Sequence, residues 1–164
     1  MMKHNVLSAQ QLEQLWADHL KGEFESKDVE ATLATMVEDA SVNHMPVNTG
    51  GRGKDALRRF YRDDFIPSWP EDLEMLPVNR VTGEGQLVDE LRLSFTHTKP
   101  MPWFLPNIAP TLRKVAVDVV VIVQFRGDRV ACERIYWDHA NVLRQVGLLN
   151  AMAQGQHDDK EKKE

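Results

Sequence analysis

Arg129-Val-Ala-Cys-Glu-Arg-Ile-Tyr-Trp-Asp138 follows a Gly127-Asp128 turn and leads straight into His139 to Leu149. The stretch is apolar and aromatic at alternate positions, which reads as a strand. Val142, Leu143, Val146 and Leu149 then recur at helical spacing, so the chain changes period at Asp138. A carboxylate at that junction is either an acid/base group at the mouth of a pocket or the N-cap of the helix after it. With period two, Asp138, Tyr136, Arg134 and Cys132 share one face of the strand, and Trp137, Ile135 and Glu133 share the other.

Working outward, the preceding valine-rich run Val115 to Phe125 is joined across Arg126-Gly-Asp-Arg129 and makes a hairpin with it. Leu87 to Thr98 and Leu73 to Thr82, linked at Gly83-Glu-Gly85, read as two further strands of an antiparallel meander. Between the two pairs lies Lys99 to Pro110, with four prolines alongside Trp103, Phe104, Leu105 and Ile108. A loop that apolar is expected either to cover a pocket as a lid or to join a subunit interface.

The first half is helical. Ser8-Ala-Gln-Gln11 is a capping box, and Leu12, Leu15, Trp16 and His19 carry the helix to about Gly22. Ser26 to Met36 repeats the spacing, and Lys54 to Phe65 forms a third helix that Pro67 and Pro70 stop. Asp39 to Met45 reads as a short strand and Asn48 to Gly53 as a glycine-rich turn. Helices first and a curved sheet after them is an α+β plan, with three N-terminal helices packed on an antiparallel sheet.

A chain of 164 residues with 42% hydrophobic content supports one core. The expected organisation is a single domain over residues 1–150, then a disordered charged tail over 151–164. A net charge of −5 argues against a nucleic-acid or anionic-membrane partner. A single cysteine, Cys132, allows no internal disulfide and fits a reducing cytoplasm. No signal-peptide pattern opens the chain, and no run is long enough to span a bilayer.

The ordered succession of Glu38 to Pro46, Gly51-Arg-Gly-Lys-Asp-Ala-Leu57, Phe95-Thr-His-Thr98, Pro110-Thr111, Glu133 to Asp138 and Leu143 to Leu149 resembles the SnoaL-like polyketide cyclase branch of the nuclear-transport-factor-2-like superfamily. Val146 stands where that branch's closing motif has a leucine. The resemblance covers roughly residues 8 to 150 and implies a cone-shaped barrel with a pocket at one end, usually a homodimer through its sheet. It also implies ring closure or related acid/base chemistry without metal or coenzyme, with Asp138 at the family's acid/base position. Binding modules and an epoxide hydrolase share the superfamily's fold, so fold alone leaves the activity open.

The candidate catalytic residues are therefore Asp138, with His97 and Tyr136 to orient a substrate or stabilise an oxyanion. His97 shares a face with Leu91, Leu93 and Phe95, and either polarises a carbonyl or is a satisfied structural histidine. His44, Glu90, Arg134, Trp16 and Trp103 are the candidate ligand-binding residues. Of the neighbours Asp89 and Glu90, Glu90 is taken to face the cavity, or else to pair with an arginine. His19 is the weakest of the histidines as a site residue.

The six histidines show no metal-ligand spacing, and Gly50 to Gly53 lacks the Lys-Ser/Thr of a phosphate-binding loop. The expectation is a cofactor-free enzyme acting on a small apolar carbonyl compound. The alternative is a non-catalytic ligand-binding or accessory module, favoured if aromatic and leucine side chains fill the pocket.

Overall fold

The computed structural model describes residues 7–149, so the charged tail expected over 151–164 lies outside the described residues. Helix α1 (Ala9–Leu20) starts at the capping box as read: Ser8 Oγ accepts from the Gln11 N–H at 3.3 Å, and Gln11 Oε1 accepts from the Ser8 N–H at 2.9 Å. Its final turn widens into a π-helical segment, Lys21–Glu25. Helix α2 (Val29–Ala34) is capped by the Asp28 carboxylate, and α3 (Lys54–Arg59) likewise runs on into a π-helical turn, Phe60–Phe65. Gly22 fits where the end of α1 crosses α2, since a Cβ there would stand 2.6 Å from Thr32 Oγ1.

The strands are β1 (Met36–His44), β2 (Thr49–Arg52), β3 (Glu74–Gly83), β4 (Gln86–Thr96), β5 (Lys114–Arg126) and β6 (Arg129–Trp137), followed by α4 (His139–Gln145). They form one sheet in the order β2-β1-β6-β5-β4-β3. β3 to β6 make the expected meander. β1 lies parallel to β6, so the sheet is mixed. The glycine-rich segment is more than a turn, because Thr49 to Arg52 pairs antiparallel with β1. At Gly50 (φ 133°) a Cβ would collide with the Val42 carbonyl, so only glycine allows that pairing.

The register sets what faces inward. Leu91, Val119 and Trp137 form one cross-strand row, Asp89, Val121 and Ile135 the next, and Leu87, Val123 and Glu133 the third. All nine are buried, and α1, α2 and the turn after α3 cover this face with Leu12, Trp16, Leu33 and Tyr61.

The proline-rich loop is packed into the interior. Met101, Trp103, Phe104 and Leu105 are buried, Leu105 N–H donates to the Met101 carbonyl at 2.7 Å, and Thr49 Oγ1 donates to the Trp103 carbonyl at 2.6 Å. The loop seals one end of the interior. No helix among the described residues is long and apolar enough to cross a membrane.

Candidate functional site

Between the helices and the concave sheet face lies a cavity of about 60 Å³, several times the roughly 10–15 Å³ one water needs. Its wall is aromatic: Phe24, Phe60, Phe65, Trp69, Trp103 and Trp137 line it. Neighbouring rings stand at centroid distances of 4.8 Å (Trp69–Trp103), 5.1 Å (Phe65–Trp103) and 5.3 Å (Phe24–Trp69). Among the lining residues only Leu20, Phe24 and Met75 are partly exposed. The cavity therefore meets solvent between the end of α1 and β3.

Two carboxylates, Glu23 and Glu133, belong to this wall, and His19 joins them. Its Nε2 stands 3.1 Å from Glu23 Oε1, one helical turn on, and 3.1 Å from Glu133 Oε1 on β6. All three side chains are buried. The Thr35 hydroxyl donates to the Thr32 carbonyl at 2.6 Å, so it accepts from His19 Nδ1 at 2.7 Å. With Nδ1–H committed there and Nε2 facing two carboxylates, the ring is an imidazolium.

Burial opposes that charge, but Glu133 and Glu23 outweigh it and hold the pKa up at about 10. The Nε2–H bond is directed at Glu23. Glu133 Oε1 is equally close but lies off that direction, and it receives no hydrogen bond among the described residues. Burial, only partly offset by His19, raises the Glu23 carboxyl above its ordinary range. The Tyr61 hydroxyl is 3.5 Å from Nε2, and burial with the two glutamates pushes its pKa well up, so it stays a phenol.

The indole of Trp16 stacks on His19 at 5.2 Å with 12° between planes, and its N–H donates to Asp89 at 2.9 Å. Asp89 in turn accepts two N–H groups of Arg80 at 3.0 and 2.8 Å. Among the described residues, His19, Glu23 and Glu133 are the donors close enough together to hold a metal ion, with one ligand atom from each within 4.8 Å of the others. The imidazolium satisfies the same geometry.

The structure separates the sequence-predicted residues. Trp16, Trp103 and His44 line the cavity. His44 packs against Trp103 at 4.8 Å and donates from Nδ1 to the Thr49 carbonyl at 3.3 Å; burial lowers its pKa to about 4, so it is neutral.

Asp138 is exposed and accepts the Asn141 N–H at 2.9 Å as the N-cap of α4. Tyr136 is exposed and Arg134 half-buried on the same outer face, where Arg134 reaches Gln124 and the Cys132 sulfur. The face of β6 turned inward is thus the one bearing Glu133, Ile135 and Trp137, because it is that set which opposes Val123, Val121 and Val119 of β5. The same parity corrects the choice at the head of β4: Asp89 is buried with Leu87 and Leu91, and Glu90 points outward. His97 is buried outside the cavity, with Nδ1 accepting the Thr111 N–H at 3.2 Å.

Residues the sequence reading leaves without a role, Glu23 and Glu133, thus meet the histidine it ranks lowest. A legible signal existed in the one-turn spacing His19-x-x-x-Glu23. The third member required the inward face of β6.

The chain matches the description "SnoaL-like polyketide cyclase" over residues 10–146. No curated protein matches it. Among solved structures, a proposed SnoaL-like polyketide cyclase from Jannaschia sp. CCS1 is 18% identical with a TM-score of 0.69, covering 84% of this chain and 92% of that one. TsrD from Streptomyces laurentii is 19% identical with a TM-score of 0.68, covering 87% and 99%. An NTF2-like protein of unknown function from Burkholderia pseudomallei K96243 is 16% identical with a TM-score of 0.64, covering 86% and 99%. At these identities the likeness is one of fold. With the family match spanning residues 10–146, the chain belongs to the SnoaL-like polyketide cyclase family, on an NTF2-like α+β fold.

Proposed function

We propose that the cavity carries out cofactor-free acid/base chemistry (isomerisation, cyclisation or hydration) on a small hydrophobic carbonyl compound, with Glu133 moving the proton. The observation that supports this most is a buried carboxylate in the cavity wall, fixed beside an imidazolium, with an oxygen that receives no directed hydrogen bond among the described residues. In that role Glu133 removes a proton from the carbon next to the carbonyl. Glu23, whose carboxyl burial raises above its ordinary range, and the Tyr61 phenol are the groups in the wall placed to act on the resulting enolate oxygen. Asp138 is left the task of capping α4.

Exchange of the α-protons of cyclopentanone in D2O tests this by NMR. Catalysed exchange should fall at least a hundredfold in Glu133→Gln and persist in Asp138→Asn. Unchanged exchange in Glu133→Gln, or no exchange of a ketone shown to bind, rejects the reading.

The tight aromatic lining favours a second reading, a binding module that retains a ligand unchanged. Binding without exchange is its signature. A cytoplasmic homodimer is part of either reading; the single free cysteine supports the compartment, and the mass in solution tests the dimer.

A further inference from the structure

Among the described residues, the titratable groups in the cavity wall are Glu23, Glu133, His44 and Tyr61, and no lysine or arginine lines it. His44 is neutral and Tyr61 is a phenol. His19 stands against the two glutamates and outside the lining. The cluster sets two carboxyl groups against one imidazolium in an apolar enclosure, an arrangement that needs a counter-charge or a proton. Glu133 Oε1, 3.1 Å from His19 Nε2, receives no directed hydrogen bond among the described residues. The rest of the wall is built of Phe, Trp and His rings, whose faces attract a cation once water is gone.

A neutral carbonyl compound brings no counter-charge to these carboxyl groups. From this arrangement we propose that the cavity selects a compact, mostly apolar amine bound as its ammonium ion, with the nitrogen at Glu133 and Glu23 and the alkyl groups against the aromatic wall.

On entry the ammonium supplies the missing charge. Any proton resting on Glu23, which faces His19 from α1, Tyr61 from the turn after α3 and Glu133 from β6, leaves to solvent. The inference rests on the cavity as the ligand site and goes beyond the chemistry proposed above, because an ammonium seated on Glu133 occupies the carboxylate that enolisation would use.

tert-Butylammonium and tert-butanol have nearly the same shape and differ in charge, so they make the probe pair. Ligand-detected NMR titration of the intact protein at pH 7 should show the ammonium binding at least tenfold more tightly than the alcohol. Glu133→Gln and Glu23→Gln should each erase most of that preference. Circular dichroism and melting temperature confirm the fold of both variants, and the wild-type comparison needs no variant at all. Equal affinity for the two probes, or a preference that survives both substitutions, overturns the proposal. The ketone-exchange result is independent of this one. Exchange without ammonium preference removes the amine and leaves the acid/base reading; ammonium preference without exchange does the reverse.

Discussion

Both ring nitrogens of His19 are committed, one to Thr35 and the other between Glu23 and Glu133. Thr35→Val removes the acceptor of a buried N–H while keeping the shape. It should cost about 1–3 kcal/mol in denaturant unfolding, the usual penalty for an unsatisfied buried donor.

His19 and His44 also have their pKa values moved in opposite directions. His19 has a folded pKa of about 10, above the roughly 6.5 of an unfolded chain. The stability it adds is therefore complete below about pH 6.5 and lost as pH climbs towards 10. Glu23, also raised, acts with the same sign. His44 has a folded pKa of about 4, so the unfolded chain takes the proton first, and stability is lost as pH falls from about 6.5 to 4. Melting temperature should peak near neutrality. His19→Gln should flatten the alkaline limb, and His44→Phe the acid one.

Elements decide which side chains meet. β6 alternates between a face that packs against the helices and one that does not, and its pairing with β5 fixes the parity. A single strand cannot reveal this, because Glu133 and Arg134 are equally plausible inward residues until Val121 and Val123 are known to stand opposite. β4 was more informative: Leu91, Leu93 and Phe95 already place position 89 inside. Asp138→Ala should lose about 1 kcal/mol through its cap and leave ketone exchange unaltered, measured on one preparation. Gly22→Ala tests the π-helical end of α1. Its methyl would meet Thr32 Oγ1, and overpacking of about 1–3 kcal/mol should appear as a lower denaturation midpoint.

At the scale of the molecule, the order and approximate limits of helices and meander strands were legible, because capping, hydrophobic period and turn residues act locally. The parallel β1–β6 pair and the β2 strand were not, since they depend on contacts between segments far apart in sequence. The same holds for the site, whose members come from α1, its π-helical extension and β6.

The mouth at Leu20, Phe24 and Met75 bears on timing. With the proline-rich loop buried as a wall, passage depends on three side chains changing rotamer. Such motions take picoseconds to nanoseconds when exposed, whereas lids open in microseconds to seconds. Small guests should come and go quickly enough to show averaged resonances, and Met75→Trp should slow that traffic by narrowing the doorway while leaving the interior it opens onto intact.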